Sequence, residues 1–368
     1  MKVALVHEFL TQFGGAERVL LALKELYPDA PIYTLVYNSN KVGKWFGKYD
    51  IRVSWLQKLS FAKTKYRWYL TLMPWAIQSF DFSGYDLVIS DSSAFAKGII
   101  TKPPTLHISY IHTPTRYLWQ DEQFYRETAV PKLLQPLLKL VTPSLRQWDY
   151  KAAQRPDFLV SNSKTVADRV RKYYKRNSEV IYPFIKADKF KIARKPKNYF
   201  LTAGRIVPYK RYDIVIEAFK KLELPLVIAG TGWGIKNIKN QISKIKNNSN
   251  IKLLGQVSDK QLAKLYRECQ ALIFPALEDF GIVPLEAMAS GRPVIAFRAG
   301  GATETIIEGK TGLFFDEQTP EAVIAAVKKF NGLTFKWNPR QIRGHALKYD
   351  KSVFKEKLWS FATTLRLS

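Results

Sequence analysis

Glu278 and Glu286 lie eight positions apart in the stretch EDFGIVPLEAMASGRPVIAF, residues 278–297. In one continuous helix, their side chains would point about 80° apart and lie roughly 12 Å apart along the axis, a poor pair for shared chemistry. The stretch instead predicts a strand before Glu278, a helix from Pro284 to Ser290 that ends at Gly291, and a buried strand in RPVIAF. Glu278 then lies at the carboxyl end of a strand and Glu286 in the first helical turn. In an open parallel sheet, that edge is where ligands bind.

Two cations precede another predicted helix, in the stretch TAGRIVPYKRYD. Arg205 and Lys210 lie between a strand and a helix N-terminus, a combination that attracts anions. Taken singly, these are ordinary solvated charges, and a glutamate in a first helical turn stabilises the helix by itself. Together the cations would bind a diphosphate and the carboxylates would bind sugar or ribose hydroxyls. A nucleotide-sugar is the ligand that needs both.

The N-terminal half offers a second set of candidates. In FGGAERV, Gly14 and Gly15 follow a strand and precede a helix, so backbone N–H groups can approach a phosphate or a reacting oxygen. A lone glycine pair is equally consistent with an ordinary turn. The stretch HISYIHTPTRYLW then supplies four further polar or aromatic candidates: His107, His112, Arg116 and Trp119. His112 is the best of these, because it lies just past the apolar run; the alternative is a core or surface histidine.

Strand-like and helix-like segments alternate along the chain, which predicts an α/β protein with parallel sheets covered on both faces. A long helical tract is predicted over 124–153. Ser258 and Gln261 form a capping-box pattern, and Thr319 with Pro320 predicts another helix start. The basic segment 184–198 is interpreted as a linker. We therefore expect two doubly wound domains of similar size facing a cleft, 1–190 and 191–345, followed by a C-terminal helix, 346–368.

Composition indicates a globular protein inside the cell. The 368 residues are 46% hydrophobic and include a single cysteine, Cys269, so no disulfide can form within the chain and a reducing compartment is favoured. The first residues hold too short an apolar run for a signal peptide, and no run approaches the length of a membrane span.

The chain has 58 basic and 31 acidic residues, a net charge of +27, which attracts polyanions. Residues 41–75 combine eight Lys or Arg residues with one Asp and nine aromatic residues. Such interleaving suits an anionic membrane surface and would also suit single-stranded nucleic acid. The alternative is that its lysines point outward and its four tryptophans are simply core: Trp45, Trp55, Trp68 and Trp75.

The pattern of two glutamates in EDFGIVPLE, together with GRIVPYKR, GGAERV and HTPTRYLW, resembles the retaining glycosyltransferases of family 4. The resemblance covers nearly the whole chain and is strongest to bacterial mannosyltransferases that build O-antigen and other polysaccharides. It implies the GT-B fold of two Rossmann-like domains, in which 1–190 would bind the acceptor and 191–345 would hold the nucleotide-sugar. The C-terminal helix, 346–368, would pack back on the first domain. One position departs from the family: Asp279 replaces the commoner glycine, which bears on sugar selectivity or marks a subgroup.

The resemblance also assigns roles to residues. Arg205 and Lys210 would bind the donor diphosphate, and Glu286 the ribose. His112 would contact the sugar and Gly15, beside Gly14, would approach the phosphate. The transferred sugar would be held by one side chain and a run of backbone: Glu278, Phe280, Gly281 and Ile282.

No Asp-x-Asp pair for a divalent ion occurs in the sequence, so we expect a metal-independent enzyme without a cofactor, in which cations stabilise the departing diphosphate. The family implies retention by front-face attack. We expect GDP-mannose as donor and a polyprenyl-linked glycan as acceptor, at the inner face of the cell membrane, and no nucleic-acid partner. The alternatives are a UDP-sugar enzyme with a soluble acceptor, and a non-catalytic module of the same fold that binds polyanions or membranes.

Overall fold

In the computed structural model, the described residues are 1–120, 135–193, 195–245, 250–333 and 337–367. They form two compact units. Unit 1 comprises Met1–Tyr182 and Lys355–Ser368, and unit 2 comprises Pro183–Phe354. The division falls slightly before the boundary predicted between residues 190 and 191, and the segment that returns to unit 1 begins later than residue 346.

Unit 1 is built on a parallel sheet of seven strands in the order β3-β2-β1-β4-β5-β6-β7. The central strands are buried along almost their whole length, as their apolar sequences predict. The strands are β1 Val3–Leu10, β2 Ile32–Tyr37, β3 Ile51–Val53, β4 Leu87–Ser92, β5 Leu106–Ile111, β6 Phe158–Ser161 and β7 Glu179–Val180.

The helices of unit 1 follow these strands in alternation. They are α1 Gly15–Leu26, α2 Ser39–Phe46, α3 Ala62–Lys65, α4 Met73–Gln78, α5 Arg116–Trp119, α6 Gln135–Ala152 and α7 Lys164–Tyr174. Within the predicted tract 124–153, helix α6 is observed, and residues 124–134 lie outside the described ranges.

Unit 2 has a parallel sheet of six strands in the order β10-β9-β8-β11-β12-β13. Its strands are β8 Phe200–Ala203, β9 Leu226–Ala229, β10 Ile251–Gly255, β11 Leu272–Phe274, β12 Val294–Phe297 and β13 Gly312–Phe315. Its helices are α8 Tyr212–Leu222, α9 Ile235–Ser243, α10 Asp259–Glu268, α11 Ile282–Ala289, α12 Ala302–Thr305, α13 Pro320–Asn331 and α14 Pro339–Leu347. The C-terminal helix α15, Lys351–Leu367, follows.

Local signals place the helix starts. Ser258 and Gln261 form the predicted capping box at α10, and the Thr319 hydroxyl accepts a hydrogen bond from Ala322 N at the start of α13. Helix α11 begins at Ile282, two residues before the predicted start at Pro284. Glu286 is consequently in the second turn of α11, and its expected place in the first turn was wrong.

The predicted linker 184–198 is also wrong. Four of its residues are buried within unit 2, namely Phe184, Ile185, Ala187 and Phe190. Ile185 N donates to Tyr349 O, and Lys351 N donates to Ile185 O. The spacing of the buried apolar residues in this segment fits neither a helix nor a strand, and lysines lie between them. Burial of the segment was therefore not apparent from the sequence.

The α/β class with two parallel sheets is confirmed, and it fixes where ligands should bind. The strand order reverses between β1 and β4 in unit 1, and between β8 and β11 in unit 2. Open parallel sheets bind ligands beyond the carboxyl ends of strands at such switch points. Among the described residues, no helix combines the length and apolar character that crossing a bilayer requires.

Candidate active site

The loop that follows β8 carries the two predicted cations of unit 2. Arg205 is exposed and forms no ion pair with any described residue. Lys210 is buried at the end of a 3-10 turn, Pro208–Lys210, directly before α8. Exposed Arg205 and buried Lys210 thus both precede the N-terminus of α8. Two positive charges beside a helix N-terminus favour the binding of an anion there.

Lys210 and Glu278 form an ion pair with Nζ and Oε1 2.6 Å apart, and their side chains are 11% and 19% exposed. The residues are far apart in sequence, but β8 and β11 are neighbours in the sheet, so the loops that follow these strands meet. The structure therefore brings together a cation and a carboxylate from two separate stretches of the sequence, as expected for groups that meet at one strand edge. Because the pair is only partly exposed, removing either partner leaves a poorly solvated charge.

Backbone packing holds the segment that contains Glu278. Gly301 N donates to Glu278 O at 2.9 Å. A Cβ atom at Gly301 would lie 2.3 Å from Phe280 Cα, so only glycine allows this approach. Gly281 has a φ of 83°, a left-handed conformation that glycine adopts at little cost, and it caps α11. The predicted sugar-binding backbone, Phe280 to Ile282, thus forms the N-terminus of a helix at the switch point.

Glu286 is buried, and its Oε2 accepts a hydrogen bond from Tyr266 OH of α10 at 3.0 Å. Burial, with Glu286 and then Tyr212 nearby, raises the pKa of Tyr266 well above its ordinary value. Burial, with Glu278 nearby, raises the pKa of Tyr212. The phenols of both tyrosines are therefore neutral at ordinary pH.

In unit 1, Gly14 is the N-cap of α1 and Gly15 is its first residue. Gly14 N donates to Glu17 Oε2 at 2.7 Å. His112 follows β5 directly, and its Nε2 lies 2.5 Å from Asp91 Oδ1. Burial acts to lower the pKa of His112, but Asp91 outweighs it and raises that pKa above the ordinary value. Both predicted positions lie at the carboxyl edge of the sheet, close to its switch point.

Of the other candidates in this stretch, His107 belongs to the interior, whereas Arg116 and Trp119 on α5 are half-buried. His107 is fully buried on β5, and burial, with Arg176 and Arg155 nearby, lowers its pKa to about 3. Trp119 Nε1 donates to Asp149 at 2.7 Å. The preference for His112 over His107 is consistent with this arrangement.

Sequence analysis missed Asp91, His7 and Tyr266. His7 on β1 and Asp91 on β4 are register partners in adjacent strands. Polar residues near the ends of successive buried strands are the signal that would have found them, once the strand order was known. In the described ranges, no group of three or more His, Cys, Asp or Glu residues is arranged to hold a metal ion.

In the segment 41–75, the interpretation of its tryptophans as core is wrong. Trp55, Trp68 and Trp75 are 39%, 63% and 66% exposed, and Phe61 is 65% exposed. Trp45 is half-buried and stacks on Phe13 with ring centres 4.0 Å apart. The surrounding basic side chains are also exposed: Lys41, Lys44, Lys48, Lys58, Lys63, Lys65 and Arg67.

Two parallel α/β sheets, with cations and carboxylates at a switch point, define the GT-B class of glycosyltransferases. A family model described as "Glycosyltransferase Family 4" matches residues 13–189, and one described as "Glycosyl transferases group 1" matches residues 184–332. The two matches follow one another along most of the sequence. The chain belongs to glycosyltransferase family 4.

Individual relatives agree with this assignment. An uncharacterised glycosyltransferase of Methanocaldococcus jannaschii is 34% identical over 171 residues, which cover 46% of this chain and 48% of the relative. The alpha-1,3/1,6-mannosyltransferase ALG2 of Mus musculus is 25% identical over an alignment of 409 residues, covering 96% of this chain and 94% of the relative. The chain spans about half the length of several curated relatives that it matches.

A solved structure, Anabaena HepE in complex with UDP, has a TM-score of 0.75 and 18% identity, covering 99% of this chain and 100% of that chain. At this identity the likeness shows the fold.

Proposed function

We propose that this chain is a retaining, metal-independent glycosyltransferase that moves mannose from GDP-mannose to a lipid-linked glycan. The observation that carries this proposal is the Lys210–Glu278 pair beside exposed Arg205, at the switch point of unit 2. It combines cations for a diphosphate with a carboxylate for sugar hydroxyls in one place.

Each site residue has a defined part in the proposal. Arg205 and Lys210 bind the diphosphate, and Glu286, oriented by Tyr266, accepts hydrogen bonds from the ribose. Glu278 accepts from the sugar hydroxyls, with the backbone from Phe280 to Ile282 beside it. By the family resemblance, His112 is assigned to the sugar and Gly15 to the phosphate.

The proposed reaction replaces one bond to the anomeric carbon by another on the same face. The bond from that carbon to the diphosphate oxygen breaks, and the acceptor oxygen forms the new bond. The acceptor proton passes to the departing phosphate oxygen. Arg205 and Lys210 stabilise the negative charge that develops on the leaving group, the usual part of preorganised cations.

Mannose is proposed because a relative that aligns over nearly the whole chain is named a mannosyltransferase. A UDP-sugar is the second candidate, because the structurally similar HepE was solved with UDP. The lipid-linked acceptor is supported by the exposed aromatic and basic residues of segment 41–75, which would hold the protein at the anionic inner face of the cell membrane.

Calorimetric titration tests the donor. GDP-mannose and UDP-glucose are each titrated into the wild type and into Lys210→Ala. The proposal expects GDP-mannose to bind more tightly than UDP-glucose, and Lys210→Ala to weaken that binding. Preference for UDP-glucose would support the second candidate, and salt-sensitive RNA binding without nucleotide-sugar binding would support a non-catalytic module.

A further inference from the structure

A chain of buried acids and imidazoles links the Gly14 loop to His112. Gly14 N donates to Glu17 Oε2, and Glu17 Oε1 lies 3.7 Å from His7 Nε2. His7 Nδ1 is 2.9 Å from Asp91 Oδ2, and Asp91 Oδ1 is 2.5 Å from His112 Nε2. We call Glu17, His7, Asp91 and His112 the acid–imidazole chain. It comes from α1, β1, β4 and the residue after β5, and it crosses the switch point of unit 1.

Three members of the acid–imidazole chain are shut off from solvent. Asp91 is fully buried, and His7 and Glu17 are nearly so. Only the His112 side chain, 13% exposed, is partly open. Buried charges of this kind persist only when they are paired and hydrogen-bonded, so the protonation states of the four side chains depend on one another.

A second buried network in unit 1 shows what a purely structural arrangement looks like. Lys97 Nζ pairs with Asp149 Oδ1 at 2.6 Å, and both side chains are 1% exposed. The carboxylate of Asp149 also accepts hydrogen bonds from Thr115, Trp119 and Tyr174. The hydrogen bonds of this network all converge on the Asp149 carboxylate. The acid–imidazole chain instead ends at Gly14 and His112, two positions assigned to the donor.

We propose that Asp91 and His7 are positioning residues that present His112 to the donor as a hydrogen-bond donor, an inference that rests on the proposed function. Asp91 accepts from Nε2 of His112, which leaves Nδ1–H for an oxygen of the sugar or phosphate. His7 bridges Asp91 to Glu17. The orientation of His112 and the position of the Gly14 loop therefore depend on the same set of contacts.

The electrostatic surroundings support a protonated His112. Burial would raise the pKa of Asp91, but His112 and His7 hold it below its ordinary value. Burial and His7 act to lower the pKa of His112, whereas Asp91 and Glu8 raise it, and the raising effects prevail. Burial would also lower the pKa of His7, yet Asp91 and Glu17 raise it well above the ordinary value. Tyr110, packed edge-on against the His112 ring, stays neutral because burial raises its pKa.

Histidine titration by ¹⁵N NMR tests the acid–imidazole chain independently of activity. The sequence has four histidines, so their signals can be assigned by replacing each in turn. In Asp91→Asn the pKa of His112 should fall by about one to three pH units, because an adjacent opposite charge is lost. The control Asp149→Asn removes an equally buried carboxylate that does not contact His112, and it should leave this titration unchanged. Equal effects of the two substitutions would overturn the proposal.

Glu17→Gln supplies a second variant in case Asp91→Asn does not fold. It keeps the size of the side chain and an acceptor for Gly14 N but removes the charge beside His7. The pKa of His7 should therefore fall. An unchanged His7 titration would show that Glu17 is not coupled to the acid–imidazole chain.

The pH dependence of donor turnover separates this proposal from the proposed function. If protonated His112 is needed, kcat/KM of the wild type declines as pH rises through the His112 pKa. In Asp91→Asn this decline should begin at lower pH. At alkaline pH, kcat/KM should fall about tenfold for every pH unit by which the His112 pKa is lowered, and acidification should restore activity. If the wild type shows no turnover but Asp91→Asn still lowers the His112 pKa, the proposed function alone is wrong. If the wild type and Asp91→Asn turn over donor with the same pH profile, the positioning role alone is wrong.

Discussion

Lys210 has a counter-ion within the protein itself, because Glu278 lies 2.6 Å from its ammonium. A diphosphate that binds Lys210 must compete with this carboxylate. In the proposed function, a phosphate that takes over the ammonium would free Glu278 to accept from sugar hydroxyls. The pair would then couple phosphate binding to sugar binding, and changing single residues would measure this coupling.

Arg205→Ala and Lys210→Ala should each lose about 2–4 kcal/mol of transition-state stabilisation, as expected when one preorganised charge is removed from a reaction centre. Steady-state kcat/KM for the donor measures this loss. The control is Arg211→Ala, because Arg211 belongs to the same segment but pairs with Asp213. Kinetics within about threefold of wild type for both site variants would exclude these cations from the site.

Glu278→Gln and Glu286→Gln should separate sugar binding from ribose binding. Glu286→Gln keeps an acceptor for Tyr266 OH and should weaken GDP binding modestly. Glu278→Gln should leave GDP affinity unchanged or slightly tighter, since Lys210 loses its competing carboxylate, while sugar transfer falls sharply. Calorimetry with GDP and a transfer assay measure the two effects, and an equal loss of GDP affinity in both variants would contradict the division of roles.

At the scale of elements, local signals predicted most strands and helices because each depends on nearby residues. The capping box at Ser258 and the Thr319–Pro320 start fall where the sequence placed them. The start of α11 was missed because Gly281 in a left-handed conformation begins the helix before Pro284. The linker prediction failed because burial of Phe184 and Phe190 depends on tertiary partners that composition does not reveal.

The exposed aromatic side chains of segment 41–75 give a membrane prediction. Lys65 lies over the Trp68 ring at 4.3 Å and over the Phe61 ring at 5.3 Å, so cation and rings form one exposed cluster. Replacing Phe61, Trp68 and Trp75 by serine should reduce co-sedimentation with anionic vesicles without lowering Tm, because these rings are exposed.

One control and one further test variant accompany the vesicle experiment. Trp359→Ser removes an exposed indole on α15, outside the segment, and should leave binding unchanged. Changing Lys41, Lys44 and Lys48 to glutamate should weaken binding, since each basic residue near an anionic surface contributes about 1 kcal/mol. If the wild type does not bind anionic vesicles at low salt, the proposed membrane association is wrong.

For the whole molecule, the sequence predicted the two α/β units and the meeting of Lys210 with Glu278 better than the contacts among the polar residues of unit 1. Arg205, Lys210 and Glu278 stand in local motifs beside helix starts, so their neighbourhood could be inferred from spacing. His7 and Asp91 meet only because β1 and β4 are adjacent, which depends on strand order. No spacing along the chain reveals that contact.

The charge distribution of the site yields a prediction about metal ions. Turnover should survive EDTA, because Arg205 and Lys210 supply positive charge to the leaving diphosphate. The assay compares donor consumption before and after chelation and after re-addition of Mg²⁺ or Mn²⁺. Activity that is lost on chelation and restored by either ion would show that the side-chain cations are insufficient.

Sugar transfer with retention at the Lys210–Glu278 site can be tested by ¹H NMR of GDP-mannose turnover. With water as acceptor, the experiment needs no knowledge of the natural glycan. The wild type should release GDP and α-mannose before mutarotation sets in, and Lys210→Ala should slow this release about thirtyfold or more. Release of β-mannose first, or equal rates for wild type and Lys210→Ala, would contradict it.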